Sequence, residues 1–127
     1  KSKGAKANRQ QGLIELVRDV VITQGPLELK SDKAKIFSDQ VTKEVIKADV
    51  TGNVQINRKA NAKGDQISAK ADHALFLNKK RVVIMRGNAS LLKDGTLLKG
   101  RKITYDLKTG WINLEGAEGV MQPGGGL

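Results

Sequence analysis

The sequence predicts an all-β fold made of stacked copies of one strand unit, and three observations support this. Apolar and polar residues alternate along most of the chain, as expected for strands with one buried and one solvent-facing side. Turn-forming residues interrupt this alternation about every 8–12 residues. One short phrase also recurs in register at residues 29–36, 69–76 and 98–105, and such repeats are typical of stacked units that bury a shared apolar face.

Length and composition fit a single domain with an aliphatic core. The chain has 127 residues, of which 39% are hydrophobic and only 3% aromatic, so we expect an interior of Val, Ile, Leu and Ala. The absence of cysteine excludes disulfides and thiol chemistry. No stretch approaches the roughly 18 apolar residues of a membrane-spanning helix. The formal net charge of +10 indicates either an anionic partner or simple solubility.

The chain begins with a basic segment. Residues 1–12 contain four basic residues and no acidic one. Residues 3–7 match the lysine, small residue and alanine of the repeated phrase, so we expect a partial repeat that forms a strand. Residues 13–121 are then the repeat domain, and the glycine-rich residues 122–127 are expected to be a flexible tail.

Residues 39–50 allow two interpretations, because their apolar residues also fit helical spacing. β-branched side chains are frequent in this segment, and no helix-capping residue precedes it beyond Ser38 or Asp39. We therefore predict a strand here.

The repeated phrase contains a change in alternation. In its first copy the apolar residues Leu29 and Ala34 have opposite parity, so the inward face is reset between them. A small residue followed by a charged one is typical of a β-bulge or a corner, and this combination stands at 31–32, 71–72 and 100–101. We predict that three strands bend at one level. One lysine from each copy then lies in a row on the solvent side: Lys30, Lys70 and Lys99.

No constellation of residues indicates catalysis or metal binding. The single histidine, His73, follows Asp72, and consecutive strand residues point to opposite faces, so we do not expect an acid–base pair. Glu115 and Glu118 flank a Gly-Ala turn, which favours a solvated turn. One histidine with scattered carboxylates lacks the ligand set of a zinc or iron site. We therefore expect neither an enzyme nor a metal or cofactor.

Two basic runs, 79–81 and 99–102, have the charge needed to contact phosphate. Proteins that bind single-stranded nucleic acid usually place aromatic side chains among such charges for base stacking. Here the candidates are Phe76 and Tyr105, and alternation places both on the apolar face. A nucleic-acid partner is therefore not expected, and a basic nucleic-acid-binding β-domain is kept only as an alternative function.

The apolar face itself has two interpretations. If the bent sheet stays slightly open, the face forms a groove for the acyl chains of an anionic amphiphile, because each buried methylene contributes about 0.8 kcal/mol. If the sheet closes, the face is a dry core and the protein is a structural scaffold. The residues predicted to line this face share one register across the repeats: Val20, Ile22, Leu29, Ile36, Val54, Ile56, Phe76, Leu91, Ile103 and Tyr105.

Several of these phrases resemble the OstA-like repeats of the LptA family. They cover residues 19–25, 51–54, 86–89 and, most strongly, 98–110. The resemblance extends over about residues 13–120. One departure is Arg18-Asp19, which stands where the family usually has Gly-Asn or Gly-Asp.

The resemblance implies a slightly open β-jellyroll of stacked antiparallel strands whose interior holds the lipid A acyl chains of lipopolysaccharide. The ten residues of the apolar face would then bind lipid. It also implies a periplasmic protein of the Lpt bridge to the outer membrane. The implied partners are LptC-like inner-membrane and LptD-like outer-membrane jellyroll domains, and copies of the chain that join edge to edge.

Overall fold

The structure is a computed structural model that describes residues 2–8, 12–58, 66–116 and 118–120. Within these ranges the chain forms nine β-strands and no helix. The described residues therefore include no helix that could cross a membrane. The proposed tail at 122–127 lies outside the described residues. The strands are β1 (Gly4–Asn8), β2 (Leu13–Gln24), β3 (Leu27–Ser38), β4 (Val45–Arg58), β5 (Ile67–Leu77), β6 (Val82–Lys93), β7 (Thr96–Asp106), β8 (Ile112–Glu115) and β9 (Glu118–Val120).

The strands follow one another in space as they do in the chain. They form one antiparallel sheet in the order β1 to β8, and β9 pairs with β7. Strand β8 pairs with residues 102–105 of β7, and β9 pairs with residues 97–99. At the opposite end, β1 covers only residues 13–17 of β2. The prediction of an all-β fold is confirmed.

The predicted strand over residues 39–50 is wrong in its first half. Strand β4 begins at Val45, and residues 39–44 form a turn. The Asp39 carboxylate accepts hydrogen bonds from the backbone N–H groups of Val41 and Thr42, at 2.8 and 2.9 Å. An aspartate that bonds to its own following backbone stabilises a turn and competes with the sheet.

A corner bends the sheet at the predicted level, but the extra residues lie on different strands from those expected. In the repeated phrase, on β3, β5 and β7, two consecutive residues face outward between residues that face inward. The register shifts occur because β2, β4 and β6 place two left-handed residues opposite each of these bends. These pairs are Arg18-Asp19, Gly52-Asn53 and Gly87-Asn88, all with φ between 47° and 86°. Two consecutive left-handed residues favour Gly and Asn. These residues occupy the two left-handed positions on β4 and on β6.

The corner folds the sheet into two layers that pack face to face. The lower layer contains β1, β8 and residues 13–17, 33–38, 45–51, 73–77, 82–86 and 102–106; the upper layer contains β9 and residues 20–24, 27–31, 54–58, 67–71, 89–93 and 96–100. Buried residues of both layers belong to one core, in which Val83, Leu91 and Ile103 have no exposed surface. Each layer therefore buries the apolar face of the other.

The predicted lysine row is present on the outer face of the upper layer. Lys30, Lys70 and Lys99 are exposed, and cross-strand pairing places Gln55 and Ser90 between them. An uncharged residue thus separates each lysine from the next, which avoids like charges directly opposite each other.

Candidate functional site

The candidate site is the inner face between the two layers, and all ten predicted lining residues lie on it. Alternation along each strand points these side chains inward, and cross-strand register aligns them in rows. Two of them, Ile22 and Ile36, are half-buried and pack against the core. The other eight are buried: Val20, Leu29, Val54, Ile56, Phe76, Leu91, Ile103 and Tyr105.

Burial along the inner face is uneven. In the middle of the sheet Val50 and Val54 on β4 are 1% exposed, whereas Ile14, the neighbour of Ile36 near β1, is 38% exposed. The upper layer shows the same trend, because Ile22 on β2 is half-buried and its partner Leu29 on β3 is 2% exposed. The apolar lining therefore reaches solvent at the β1 end and is closed at its centre.

A polar contact joins the two layers on the side away from the corner, which we call the seam. Arg58, at the end of β4 in the upper layer, donates from Nη1 to Tyr105 Oη of the lower layer over 2.5 Å. Its guanidinium carbon is 6.0 Å from the centre of the Tyr105 ring. Sequence reasoning missed this contact, since the partners are 47 residues apart. The sequence did contain one indication of it, because Arg58 continues the alternation of the inward residues Val54 and Ile56.

The two inner-face aromatic residues are not available to nucleic acid. Phe76 is 3% and Tyr105 2% exposed, so neither presents a ring for base stacking. The structure thus favours lipid or a packed core over a single-stranded nucleic acid as the occupant of this face.

The described residues contain no metal cluster, and the polar contacts of Asp72 and His73 lie outside the inner face. No group of three or more potential metal ligands occurs in the described ranges. His73 Nε2 lies 2.5 Å from Asp49 Oδ1 on the outer face. Asp72 accepts a hydrogen bond from Asn88 Nδ2 at the corner. Asp72 and His73 both face outward at the bend, but they have separate partners and form no acid–base pair with each other.

The two carboxylates with a lowered pKa, Asp19 and Asp39, also lie outside the inner face. The hydrogen bond from Lys3, and then its charge, lower the pKa of Asp19. Backbone hydrogen bonds from Thr42 and then Val41 lower the pKa of Asp39. Both carboxylates lie at the surface, where they stabilise an edge and a turn. The described part of the inner face is mainly apolar.

This geometry matches known proteins of one family. The fold is similar to the crystal structure of LptH, described as the LptA homologous periplasmic component of the conserved lipopolysaccharide transport device from Pseudomonas aeruginosa. The match has a TM-score of 0.87 at 20% identity and covers 97% of this chain and 93% of that chain. It confirms the predicted jellyroll fold. No curated protein matches the chain by sequence.

The family model described as LptA/(LptD N-terminal domain) LPS transport protein matches residues 1–111. That range contains β1 to β7 and every residue of the predicted apolar lining. The chain therefore belongs to the family of lipopolysaccharide transport proteins formed by LptA and the LptD amino-terminal domain.

Proposed function

We propose that this protein binds lipopolysaccharide through the acyl chains of lipid A, which enter between the two layers, and carries it across the periplasm as part of the Lpt bridge to the outer membrane. The observation that carries the proposal is the apolar inner face that opens toward β1. There Ile14, Ile22 and Ile36 are partly exposed although they point inward. Acyl chains that cover such surface gain about 0.8 kcal/mol per methylene.

In this proposal the two ends of the sheet contact the partners. Strand β1 stands at one end, and β8 with β9 stands at the other. Edge strands have backbone N–H and C=O groups that pair with a strand from another chain. We propose that LptC-like inner-membrane and LptD-like outer-membrane jellyroll domains add to these ends, and that copies of this chain join edge to edge in the same way.

Photo-crosslinking from adjacent residues tests the lipid site. A photoreactive amino acid replaces Ile36 or Ile56 on the inner face, and Lys35 or Gln55 beside them on the outer face serves as the matched control. We expect lipopolysaccharide to be captured from Ile36 and Ile56 only, because side chains one residue apart point to opposite faces. Equal capture from all four positions would contradict the inner-face assignment.

The second candidate function is a structural scaffold with a dry core. It is favoured by the close packing of β6 and β7, where Val83, Leu91 and Ile103 are 0% exposed. Displacement of a fluorescent fatty acid by lipids of increasing acyl length distinguishes the two. Saturable binding that strengthens with acyl length supports the lipid site, whereas no saturable binding supports the scaffold.

A further inference from the structure

The seam carries three cationic side chains. Arg58 and Lys93 belong to the upper layer, at the inward parity of their strands, and Arg81 lies in the turn between β5 and β6 of the lower layer. All three are half-buried. We call them the seam cations.

Two of the seam cations reach across to the other layer. Arg58 donates to Tyr105 Oη, as described above. Lys93 Nζ lies 3.8 Å from the position that a side-chain carbon on Gly110 would occupy, in the loop after β7. The third, Arg81, stays within the lower layer, where its guanidinium carbon is 5.9 Å from the centre of the Phe76 ring. Phe76 and Tyr105 both neighbour Val83 in the sheet, so the two guanidinium groups lie over the same part of the inner face.

The described partners of the seam cations are neutral. Arg58 bonds to a phenol, and Arg81 Nη1 donates to the Asn78 side-chain amide at 3.0 Å. Among the described residues, no carboxylate lies within 4.0 Å of either arginine or of Lys93. Asp106 follows Tyr105 but has the opposite parity, and its Oδ1 accepts hydrogen bonds from the backbone of the following turn.

The described ion pairs lie elsewhere on the molecule. They join Lys3 to Asp19, Lys30 to Glu28, His73 to Asp49 and Lys102 to Glu115, all on the outer surface. Three outer lysines and His73 thus have a carboxylate partner among the described residues, and the three seam cations do not. A half-buried guanidinium beside a neutral phenol gains from an anion, because phosphate adds the attraction of opposite charges and can accept two parallel hydrogen bonds instead of one.

From this arrangement we propose that the seam cations, with Arg58 as the principal one, bind the phosphate groups of an acylated amphiphile whose chains lie between the layers. In this role Arg58 exchanges its hydrogen bond to Tyr105 for one to phosphate, so the contact that joins the layers is released as the head group arrives. The inference rests on the proposed lipid function and adds the site of the head group. An arginine suits this task because its planar fork matches phosphate oxygens.

Binding of two lipids to variants of the full chain tests the proposal. The probes are a bisphosphorylated lipid A and an analogue with the same acyl chains and no phosphate, titrated against wild type, Arg58→Gln, Arg58→Lys and Tyr105→Phe. Arg86→Gln is the matched control, because Arg86 is exposed on the outer face. Thermal unfolding followed by circular dichroism verifies that each variant is folded.

We expect Arg58→Gln to weaken binding of the bisphosphorylated lipid about tenfold or more and to change binding of the phosphate-free analogue less than about twofold. Arg58→Lys should keep part of the phosphate preference. Tyr105→Phe should increase it, since the guanidinium remains and no longer has to give up a hydrogen bond to the phenol. Arg86→Gln should leave both affinities unchanged.

Three outcomes would overturn the inference. If Arg58→Gln weakens both lipids equally, Arg58 acts only by joining the layers. If wild type binds both lipids with the same affinity and Arg58→Gln changes neither, the head group is not bound at the seam while the proposed function stands. If wild type binds neither lipid, both proposals fail together.

Discussion

The corner makes a quantitative prediction at Gly52. Its φ of +86° is left-handed, and a side-chain carbon built on it would lie 2.7 Å from Asp32 Oδ2 and 3.0 Å from Asp32 Cβ. In Gly52→Ala the left-handed conformation costs about 1–2 kcal/mol. Asp32 must also move, which breaks the 3.0 Å hydrogen bond that it accepts from Asn53 Nδ2, a loss of about 1 kcal/mol. We therefore expect a decrease of about 2–3 kcal/mol in the free energy of unfolding.

Gly95 provides a matched control. It has nearly the same φ, +82°, in the turn between β6 and β7, but nothing lies within 4 Å of the position of its added carbon. In Gly95→Ala only the left-handed backbone is unfavourable, so the free energy of unfolding should decrease by about 1–2 kcal/mol. The difference between the two variants isolates the close approach of strands at the corner.

Thermal unfolding monitored by far-ultraviolet circular dichroism measures this difference. The single tryptophan, Trp111, is 77% exposed and is a poor reporter of unfolding. For a chain of this length about 1 kcal/mol corresponds to about 4 °C in Tm, so Gly52→Ala should melt at least about 4 °C below Gly95→Ala. Gly87→Ala, whose added carbon would lie 2.8 Å from Asp72 Oδ2, should behave like Gly52→Ala. Equal Tm values for all three variants would refute the reasoning.

Two further predictions concern single residues away from the inner face. Arg18 has a φ of 62°, so Arg18→Gly should raise the free energy of unfolding by about 1 kcal/mol in urea titrations, and a decrease would contradict the strain argument. The pKa of Asp39 is lowered in the folded state from its ordinary value of 3.8, so its ionised form stabilises the fold above that pH and this contribution disappears as pH falls through the lowered pKa. Asp39→Asn should therefore be less stable than wild type at neutral pH, and the difference should shrink as the pH falls below 3.8; a pH-independent difference would show that the charge is not involved.

Much of the fold follows from short-range patterns in the sequence. Strict alternation fixes which side of each strand is apolar, so the ten inner-face residues are found without knowledge of the topology. The parity change between Leu29 and Ala34 also marks the corner, because an inward face cannot reset without a bend. The sequence argument assigned the extra residue to the wrong strand, because the effect of Gly52-Asn53 appears only when β4 lies beside β3.

The parts that could not be predicted depend on contacts between distant residues. Arg58 is adjacent to Tyr105 only because the corner brings the upper layer over the lower one. The greater exposure of Ile14 arises because the upper layer ends at β2, whereas β1 adds only to the lower layer. Asp39 resembled a helix cap because the same side-chain bond to a following backbone N–H serves a helix and a turn alike.

The order of the strands also has a consequence for how the protein folds and opens. Each strand pairs with its neighbour in the chain, apart from β9, so no pairing has to wait for the two termini to meet. Such local connectivity favours rapid folding by growth from any hairpin. The strands at the ends of the sheet then unfold first, because opening them costs less free energy than unfolding the whole domain. A terminal strand can thus detach and return, or be replaced by a strand from another chain, while the central hairpins stay folded.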